Sequence, residues 1–202
     1  MDYACYDAST GHEIVTVMFE ADIKTGLIAY LEAQARHAKL RFIEEFKLER
    51  GIGRADLVEV TQFHCYEIKS HADSLTRLIG QGARYDKTFS HVTLVTAERH
   101  LTRALPLLPS WWGVLIIPSD TGEPFQYVRQ AKPNRRQEAY SLAATLGRDE
   151  CLTLLADLGH KRGWRSKSLY EMQIFLARAL AVAELAHLVP SHVSRRTQLQ
   201  AA

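Results

Sequence analysis

The sequence predicts an α/β core followed by a helical C-terminal part, and three observations carry this prediction. Short strand-like runs recur between residues 54 and 129, with helical stretches between them. From Arg136 onward the pattern is helical only. The chain has 202 residues, of which 47% are hydrophobic and 24% charged, so it can bury a substantial core. The polar segment 131–136, "AKPNRR", separates a predicted core, 1–130, from a helical subdomain, 136–202.

The first half of the core begins with a helix and continues with a pair of strands. Residues 22–38 carry apolar side chains at helical spacing and predict the first helix. Residues 40–48, "LRFIEEFKL", fit either an alternating strand or the end of that helix. Residues 54–60, "RADLVEV", and 63–69, "FHCYEIK", then read as two strands that flank a tight connection.

The second half of the core alternates helix and strand. Ser70 with Asp73 has the spacing of a capping box, which predicts a helix that runs to about Phe89. Residues 91–97, "HVTLVTA", are a clear strand, and 98–105 fit a short helix. The remaining elements are strands over 113–117 and 125–129, and helices near 135–146, over 149–159, and a long one over 168–188.

Charge and cysteine content exclude several classes of protein. The net charge of +2 does not by itself indicate nucleic acid, so affinity for phosphates has to come from local patches. Cys5, Cys65 and Cys151 form no CxxC pair, which argues against a disulfide framework and a cysteine zinc site, and favours the cytoplasm. The first ten residues resemble no signal peptide, and the two most apolar stretches are too interrupted to span a membrane.

The two predicted strands bring a pair of carboxylates together. In a symmetric antiparallel hairpin centred on Thr61 and Gln62, Val58 faces Cys65 and Asp56 faces Glu67. Both faces of the hairpin are otherwise largely apolar, as in central strands. Opposed carboxylates on such strands need a compensating cation.

That cation can be supplied in two ways. In one interpretation Arg54 and Lys69 neutralise the carboxylates in a structural ion cluster. In the other, Asp56, Glu67 and the backbone carbonyl of Ile68 hold Mg²⁺, for which Mn²⁺ can substitute, and Lys69 orients a water or neutralises charge at a phosphorus atom. The second interpretation predicts a phosphodiester-hydrolysing site.

The order of Asp56, Glu67 and Lys69, with one residue between Glu67 and Lys69, resembles the D…(D/E)xK signature of the PD-(D/E)XK nuclease superfamily. Gln81 and Tyr85 in "QGARY" resemble the QxxxY element of its RecB-like members, and residues 40–190 resemble the bacterial sce7726 family. The resemblance implies a restriction-endonuclease-like core, a mixed central sheet flanked by helices, with catalytic roles for these five residues.

The resemblance also implies a further metal ligand and departs from the family pattern at one position. Ala55 stands where a proline often precedes the first acid. The superfamily tends to add a glutamate from the first helix or strand as a metal ligand. Strand alternation groups Glu44 with its apolar neighbours, whereas the family spacing favours Glu45, with Glu44 as the alternative.

Basic side chains suggest where a nucleic acid would bind. Arg77 and Arg84 share a helical edge with Gln81 and Tyr85 and are candidates for phosphate contacts, although a solvated face is the simpler interpretation for Arg84. A second set, in "HKRGWRSK" between two C-terminal helices, comprises Lys161, Arg162, Arg165 and Lys167. His64, Trp111 and Trp112 are interpreted as packing residues.

The sequence thus predicts a Mg²⁺-dependent nuclease that acts on nucleic acid, DNA rather than RNA, in defence, mobile-element biology or repair. It has no membrane partner, and its C-terminal helices add either a phosphate-binding surface or the contact of a homodimer. The alternative is a catalytically idle module on the same fold that binds nucleic acid or a protein.

Overall fold

A mixed six-stranded sheet forms the centre of the molecule. A computed structural model of the chain describes residues 20–35, 38–118 and 124–196. The strands lie side by side in chain order. Strands β1–β3 form antiparallel pairs, β3, β4 and β5 are parallel, and β6 is antiparallel to β5. The bounds are β1 (Phe42–Leu48), β2 (Gly53–Glu59), β3 (His64–Lys69), β4 (His91–Ala97), β5 (Gly113–Ile117) and β6 (Gln126–Arg129).

Helices cover both faces of the sheet, which confirms the predicted α/β class. Helix α1 packs on one face through Ile23 and Leu27, which join Leu57 and Ile68 in one hydrophobic cluster. The other face packs against α2 and the C-terminal helices in a second, larger cluster. The helices are α1 (Glu20–Gln34), α2 (Leu78–Thr88), α3 (Leu101–Ala104), α4 (Ala139–Ala143), α5 (Arg148–Asp157), α6 (Leu169–Ala179) and α7 (Val182–Val193).

The predicted hairpin register is confirmed. Val58 pairs with Cys65, and Leu57 with Tyr66, so continuation of the ladder places Asp56 opposite Glu67. The connection is held by the Glu59 carboxylate, which accepts hydrogen bonds from the backbone N–H groups of Thr61 and Gln62 at 3.0 and 2.7 Å. Since β2 and β3 lie inside the sheet, the prediction of central strands is also confirmed.

Three element predictions need correction or completion. Within the ambiguous segment 40–48, Phe42–Leu48 forms strand β1. The first helix was predicted over 22–38 but spans Glu20–Gln34, and residues 36 and 37 lie outside the described residues. The predicted start of α2 is wrong. Ser70 does bond to the Asp73 carboxylate at 2.7 Å, but this closes a turn, and a 3₁₀ turn at 75–77 leads into α2.

The long helix predicted over 168–188 is also wrong, because it is two helices. Leu180 is extended, with φ −117° and ψ 143°, and ends α6. The Glu184 side chain accepts a hydrogen bond from the backbone N–H of Ala181 at 2.7 Å and thereby caps the start of α7. Because the chain breaks here, α6 and α7 both pack against the larger hydrophobic cluster, α6 through Met172 and Leu176 and α7 through Leu185 and Val189.

The segment 131–136 is fixed to the core. Buried Asn134 donates through its side-chain nitrogen to the carbonyls of Asp86 and Phe89, at 2.6 and 2.9 Å. The backbone N–H of Lys132 donates to the Trp111 carbonyl at 2.8 Å. The division of the chain into two domains at this segment remains a prediction. Residues 1–19, which include Cys5, and residues 197–202 lie outside the described residues. Within the described parts, no helix is long and apolar enough to cross a membrane.

Candidate active site

A polar cleft of about 610 Å³ lies where the start of α1, strands β2 and β3 and helix α2 meet. Several predicted site residues line it together with residues from β1 and the turn after it. The residues that line it include Glu20, Lys47, Arg54, Asp56, Ile68, Lys69, Arg77, Gln81 and Arg84.

Asp56 is held on the wall of this cleft by the neighbouring strand. One of its carboxylate oxygens accepts a hydrogen bond from the backbone N–H of Ile68 at 2.7 Å. Burial, and then the negative charge of Glu67, raise the pKa of Asp56 to about 7. The hydrogen bond and the positive charge of Lys69 act in the opposite direction but do not cancel these two effects. Asp56 is therefore a carboxyl group whose proton is released near neutral pH.

Glu67 lies behind the cleft wall, fully buried and fully bonded. Its Oε1 accepts a hydrogen bond from Lys69 Nζ at 2.5 Å, and its Oε2 accepts one from the Tyr85 hydroxyl at 2.6 Å. The Tyr85 hydroxyl also lies 2.9 Å from the Arg54 carbonyl, so its one proton has two acceptors in reach. Burial and then the neighbouring acidic groups raise the pKa of Tyr85. Tyr85 and Lys69 thus fix the Glu67 carboxylate in place.

Three carboxylates converge at the mouth of the cleft. Glu20 from α1, Glu45 from β1 and Asp56 from β2 each offer an oxygen, and these oxygens lie within 4.8 Å of one another. Glu45 lies opposite Asp56 in the β1–β2 ladder, between the pairs Glu44–Leu57 and Phe46–Ala55. Its φ of 53° is in the left-handed region, which is rare for a non-glycine residue within a strand. Such strain is often found at functional sites.

Two cations already contact this carboxylate cluster. Lys24 Nζ lies 2.6 Å from Glu45 and 3.2 Å from Glu20. Arg54 Nε lies 2.5 Å from the other Glu45 oxygen. Burial lowers the pKa of Lys24, but its hydrogen bonds to Glu45 and Glu20 outweigh that effect and leave the pKa raised. The cluster is therefore partly neutralised by the protein itself.

The predicted metal ligands fall into two groups. Asp56 and Glu45 come together with Glu20, and three carboxylate oxygens suit a hard cation such as Mg²⁺. Glu67 lies outside this trio, because its oxygens are already bonded to Lys69 and Tyr85. The Ile68 carbonyl lies 3.3 Å from Lys69 Nζ.

The alternative ligand, Glu44, also lies outside the trio and approaches Lys24 at 3.7 Å. Sequence reasoning missed Glu20. The sequence feature that could have pointed to Glu20 is its spacing from Lys24, with which it forms an (i, i+4) ion pair on α1.

The predicted edge of α2 does border the cleft. Gln81 Nε2 lies 3.5 Å from the Tyr85 hydroxyl, and its Oε1 is buried with no hydrogen-bond partner among the residues that the structure describes. Arg77 is exposed at the rim. Arg84 Nε donates to Glu49 at 3.1 Å, which fixes this side chain in an ion pair. Tyr85 is buried and does not line the cleft.

Of the residues interpreted as packing residues, Trp112 is in the core, while His64 and Trp111 are partly buried. Burial lowers the pKa of His64 to about 3, so the ring is neutral, and it bonds to Thr93 at 2.8 Å. Trp112 is fully buried and donates to Asp86 at 3.1 Å, and Trp111 packs beside it. The cations Lys161, Arg162, Arg165 and Lys167 are exposed on the loop between α5 and α6, away from the cleft lining.

Comparisons with known proteins identify a phage family. A family model described as bacteriophage P4 protein cII matches residues 14–200. Protein cII of Enterobacteria phage P4 is 27% identical over 142 residues, which are 69% of this chain and 54% of that protein. The chain thus spans about half the length of this curated relative. Among solved structures, the SPO1766 protein of unknown function from Silicibacter pomeroyi matches with a TM-score of 0.44 and 19% identity, over 73% of this chain and 97% of that one.

Proposed function

We propose that this chain, which belongs to the bacteriophage P4 protein cII family, is a Mg²⁺-dependent nuclease that hydrolyses phosphodiester bonds in DNA. The observation that carries the proposal is the convergence of three carboxylates, Glu20, Glu45 and Asp56. Two of them, Glu20 and Asp56, line the cleft together with Lys69. The resemblance of Asp56, Glu67 and Lys69 to the PD-(D/E)XK signature supports the same activity.

In this proposal the carboxylate trio holds the divalent ion. A bound Mg²⁺ would polarise the phosphoryl oxygen and lower the pKa of an attacking water. Asp56 couples this binding to pH, because a nearby cation favours its ionised form while burial favours the protonated form. A divalent ion bound there would therefore favour the ionised form of Asp56 near neutral pH.

Lys69 supplies the positive charge at the floor of the cleft. Its ammonium group is held by Glu67 Oε1, and Glu67 is in turn held by Tyr85, so the cation has a fixed position. A preorganised cation stabilises the charge that develops on a phosphoryl group more effectively than a mobile one. Lys69 is thus the catalytic residue, while Glu67 and Tyr85 are positioning residues.

The rim of the cleft suits a polyanionic substrate. Lys47 and Arg77 are exposed there, and Arg84 lies beside them. Contacts of such side chains with phosphates would orient a strand without reading its sequence. A relative from a phage makes mobile-element biology the preferred setting among those considered. DNA is preferred to RNA, and a cytoplasmic location follows from the cysteine pattern.

A second candidate is a catalytically idle module that binds nucleic acid or a protein. One observation favours it: Lys24 and Arg54 already form ion pairs with two of the carboxylates that a metal would bind, Glu45 and Glu20. A site of this kind is stable without a metal ion, so the same side chains could serve binding alone.

A cleavage panel separates the two candidates. Supercoiled, linear and single-stranded DNA and RNA are incubated with the protein in Mg²⁺, Mn²⁺ or EDTA. The test variant is Glu67→Gln/Lys69→Met, which removes the buried pair together. The matched control is Glu138→Gln/Lys87→Met, which removes an exposed ion pair between the end of α2 and the residue before α4. Metal-dependent cleavage that only the test variant loses supports the nuclease. Binding without cleavage by the wild type supports the idle module.

A further inference from the structure

We infer that the loop between α5 and α6 is a subsite for one unpaired base of a single-stranded DNA, with the neighbouring phosphates held by its cations. This inference rests on the proposed function, since it assigns the strand type that enters the cleft. It depends on a cavity, on an aromatic cluster, on unpaired charge and on a contact that joins the loop to the cleft.

The loop and α5 together border an open cavity that is partly lined by apolar side chains. The cavity measures about 370 Å³ and is lined by Leu152 and Ala156 of α5 and by Trp164 of the loop. Ligand-binding cavities generally measure about 300–1,000 Å³, so this one has room for a nucleobase. A base in a duplex is stacked and paired and cannot enter such a cavity, whereas an unpaired base can.

Trp164 is held in a position where its ring can contact a base. Gly163, with φ 86°, reverses the chain just before it. The Trp164 ring then packs against Phe175, with centroids 4.5 Å apart, and the His160 ring contacts the Phe175 ring at 5.0 Å. Trp164 is only partly buried by these contacts and borders the cavity. Stacking of a base on such a ring is favourable for any base.

The rim of the cavity carries positive charge that the protein does not neutralise. Lys161 and Arg165 line it, and Arg162 lies between them in the sequence. All three are exposed, and none forms an ion pair within the part of the chain that the structure describes. Lys167 differs, because it pairs with Glu171 at 2.9 Å. The free cations match the phosphates on either side of a bound base.

The loop backbone is fixed and not merely exposed. The Arg148 guanidinium donates to the carbonyls of Arg165 and Lys167 at 2.5 and 2.8 Å. Ser168 then caps α6 by accepting a hydrogen bond from the backbone N–H of Glu171 at 3.2 Å. At the other end of the basic segment, the backbone N–H of His160 donates to the Leu155 carbonyl at 2.8 Å. Both ends are therefore anchored, so binding a strand there requires little ordering of the backbone.

One contact joins this subsite to the cleft. The Arg50 guanidinium lies over the ring of Tyr170, 5.1 Å from its centroid. Tyr170 is in the first turn of α6, directly after the basic loop, and Arg50 precedes Gly51, which lines the cleft. This contact brings the turn beside the cleft next to the start of α6, so a single strand bound in the cleft would run along it toward the base cavity.

The test measures binding apart from cleavage. The anisotropy of a short fluorescent oligodeoxythymidylate and of a duplex is followed in EDTA for the wild type, Trp164→Ala, Trp164→Phe and Arg165→Glu. Arg178→Glu, an exposed arginine at the end of α6, is the matched control. We expect Trp164→Ala to weaken single-strand binding about tenfold, Trp164→Phe to restore most of it, and duplex binding to change little. Arg165→Glu should also weaken single-strand binding and lower its salt dependence.

The outcomes separate this inference from the nuclease proposal. If Arg165→Glu and both Trp164 variants bind the single strand as the wild type does, the subsite is refuted, even if the wild type cleaves DNA. If Trp164→Ala and Arg165→Glu lose single-strand affinity while Trp164→Phe and Arg178→Glu keep most of it, the subsite stands, even if no cleavage is seen. Since Arg165 is exposed, its variant tests the subsite even if Trp164→Ala loosens the loop.

Discussion

Replacement of Asp56 by Asn should stabilise the protein more at alkaline than at acidic pH. The pKa of Asp56 is raised from 3.8 to about 7 by burial and by Glu67. The folded state therefore holds this proton more tightly than the unfolded state does. Ionisation then costs stability, which is full below about pH 4 and falls as the pH rises to about 7. Asn keeps the acceptor for the Ile68 N–H and carries no charge.

The size of the effect follows from the two pKa values. Each tenfold change in proton affinity is worth about 1.4 kcal/mol, so the full difference corresponds to about 4 kcal/mol. About half of it, or about 2 kcal/mol, falls between about pH 5.5 and pH 8. Urea unfolding in EDTA of the wild type and Asp56→Asn at these two pH values measures it. The gain in unfolding free energy from the substitution should be about 2 kcal/mol larger at the higher pH.

The comparison between the two proteins removes other titrating groups. His64, whose pKa burial lowers to about 3, has the opposite sign: its contribution to stability is lost as the pH falls below about 6.5. It is present in both proteins and cancels in the difference. An equal gap between wild type and variant at both pH values would refute the raised pKa of Asp56 and the pH coupling built on it.

Three further substitutions test the surroundings of the site. Lys69→Met leaves the fully buried Glu67 charge without its partner and should lower the unfolding free energy, measured in urea, by about 3 kcal/mol. The double variant Glu67→Gln/Lys69→Met should restore most of this loss, and a loss below about 1 kcal/mol would contradict the buried pair. Asn134→Ala removes two hydrogen bonds to buried carbonyls and should cost about 2 kcal/mol, and an unchanged urea midpoint would contradict this anchoring role. Glu20→Gln should leave the metal-free stability within about 0.5 kcal/mol but raise the Mg²⁺ concentration for half-maximal stabilisation, and an unchanged Mg²⁺ midpoint would exclude Glu20 from the metal site.

The strand register was predictable from the sequence, because local chemistry determines it. Side chains alternate along a strand, and the short connection after Val60 left one symmetric pairing. That pairing by itself places Asp56 opposite Glu67. The apolar residues on both sides of β2 also predicted that both faces of the sheet are covered. Leu57 and Val58, which point to opposite faces, are both fully buried.

The remaining parts of the site depend on tertiary packing. Glu20 reaches Asp56 only because α1 crosses the sheet, and helical spacing contains no information on that crossing. The left-handed backbone of Glu45 is likewise invisible in an alternation pattern, which explains why alternation alone favoured Glu44. The break at Leu180 was missed because the apolar spacing of α6 and α7 runs through it. Its only local signal is Glu184 at capping distance from Ala181.

The most direct test of the nuclease account is DNA cleavage by the wild type and Asp56→Asn in Mg²⁺ at about pH 8, where Asp56 is mostly ionised. Urea unfolding is measured on the same preparations. The account predicts that the wild type cleaves in Mg²⁺ and not in EDTA, and that Asp56→Asn is the more stable protein but does not cleave. Equal cleavage by both proteins, or a folded wild type that leaves DNA intact in Mg²⁺ and Mn²⁺, would contradict it.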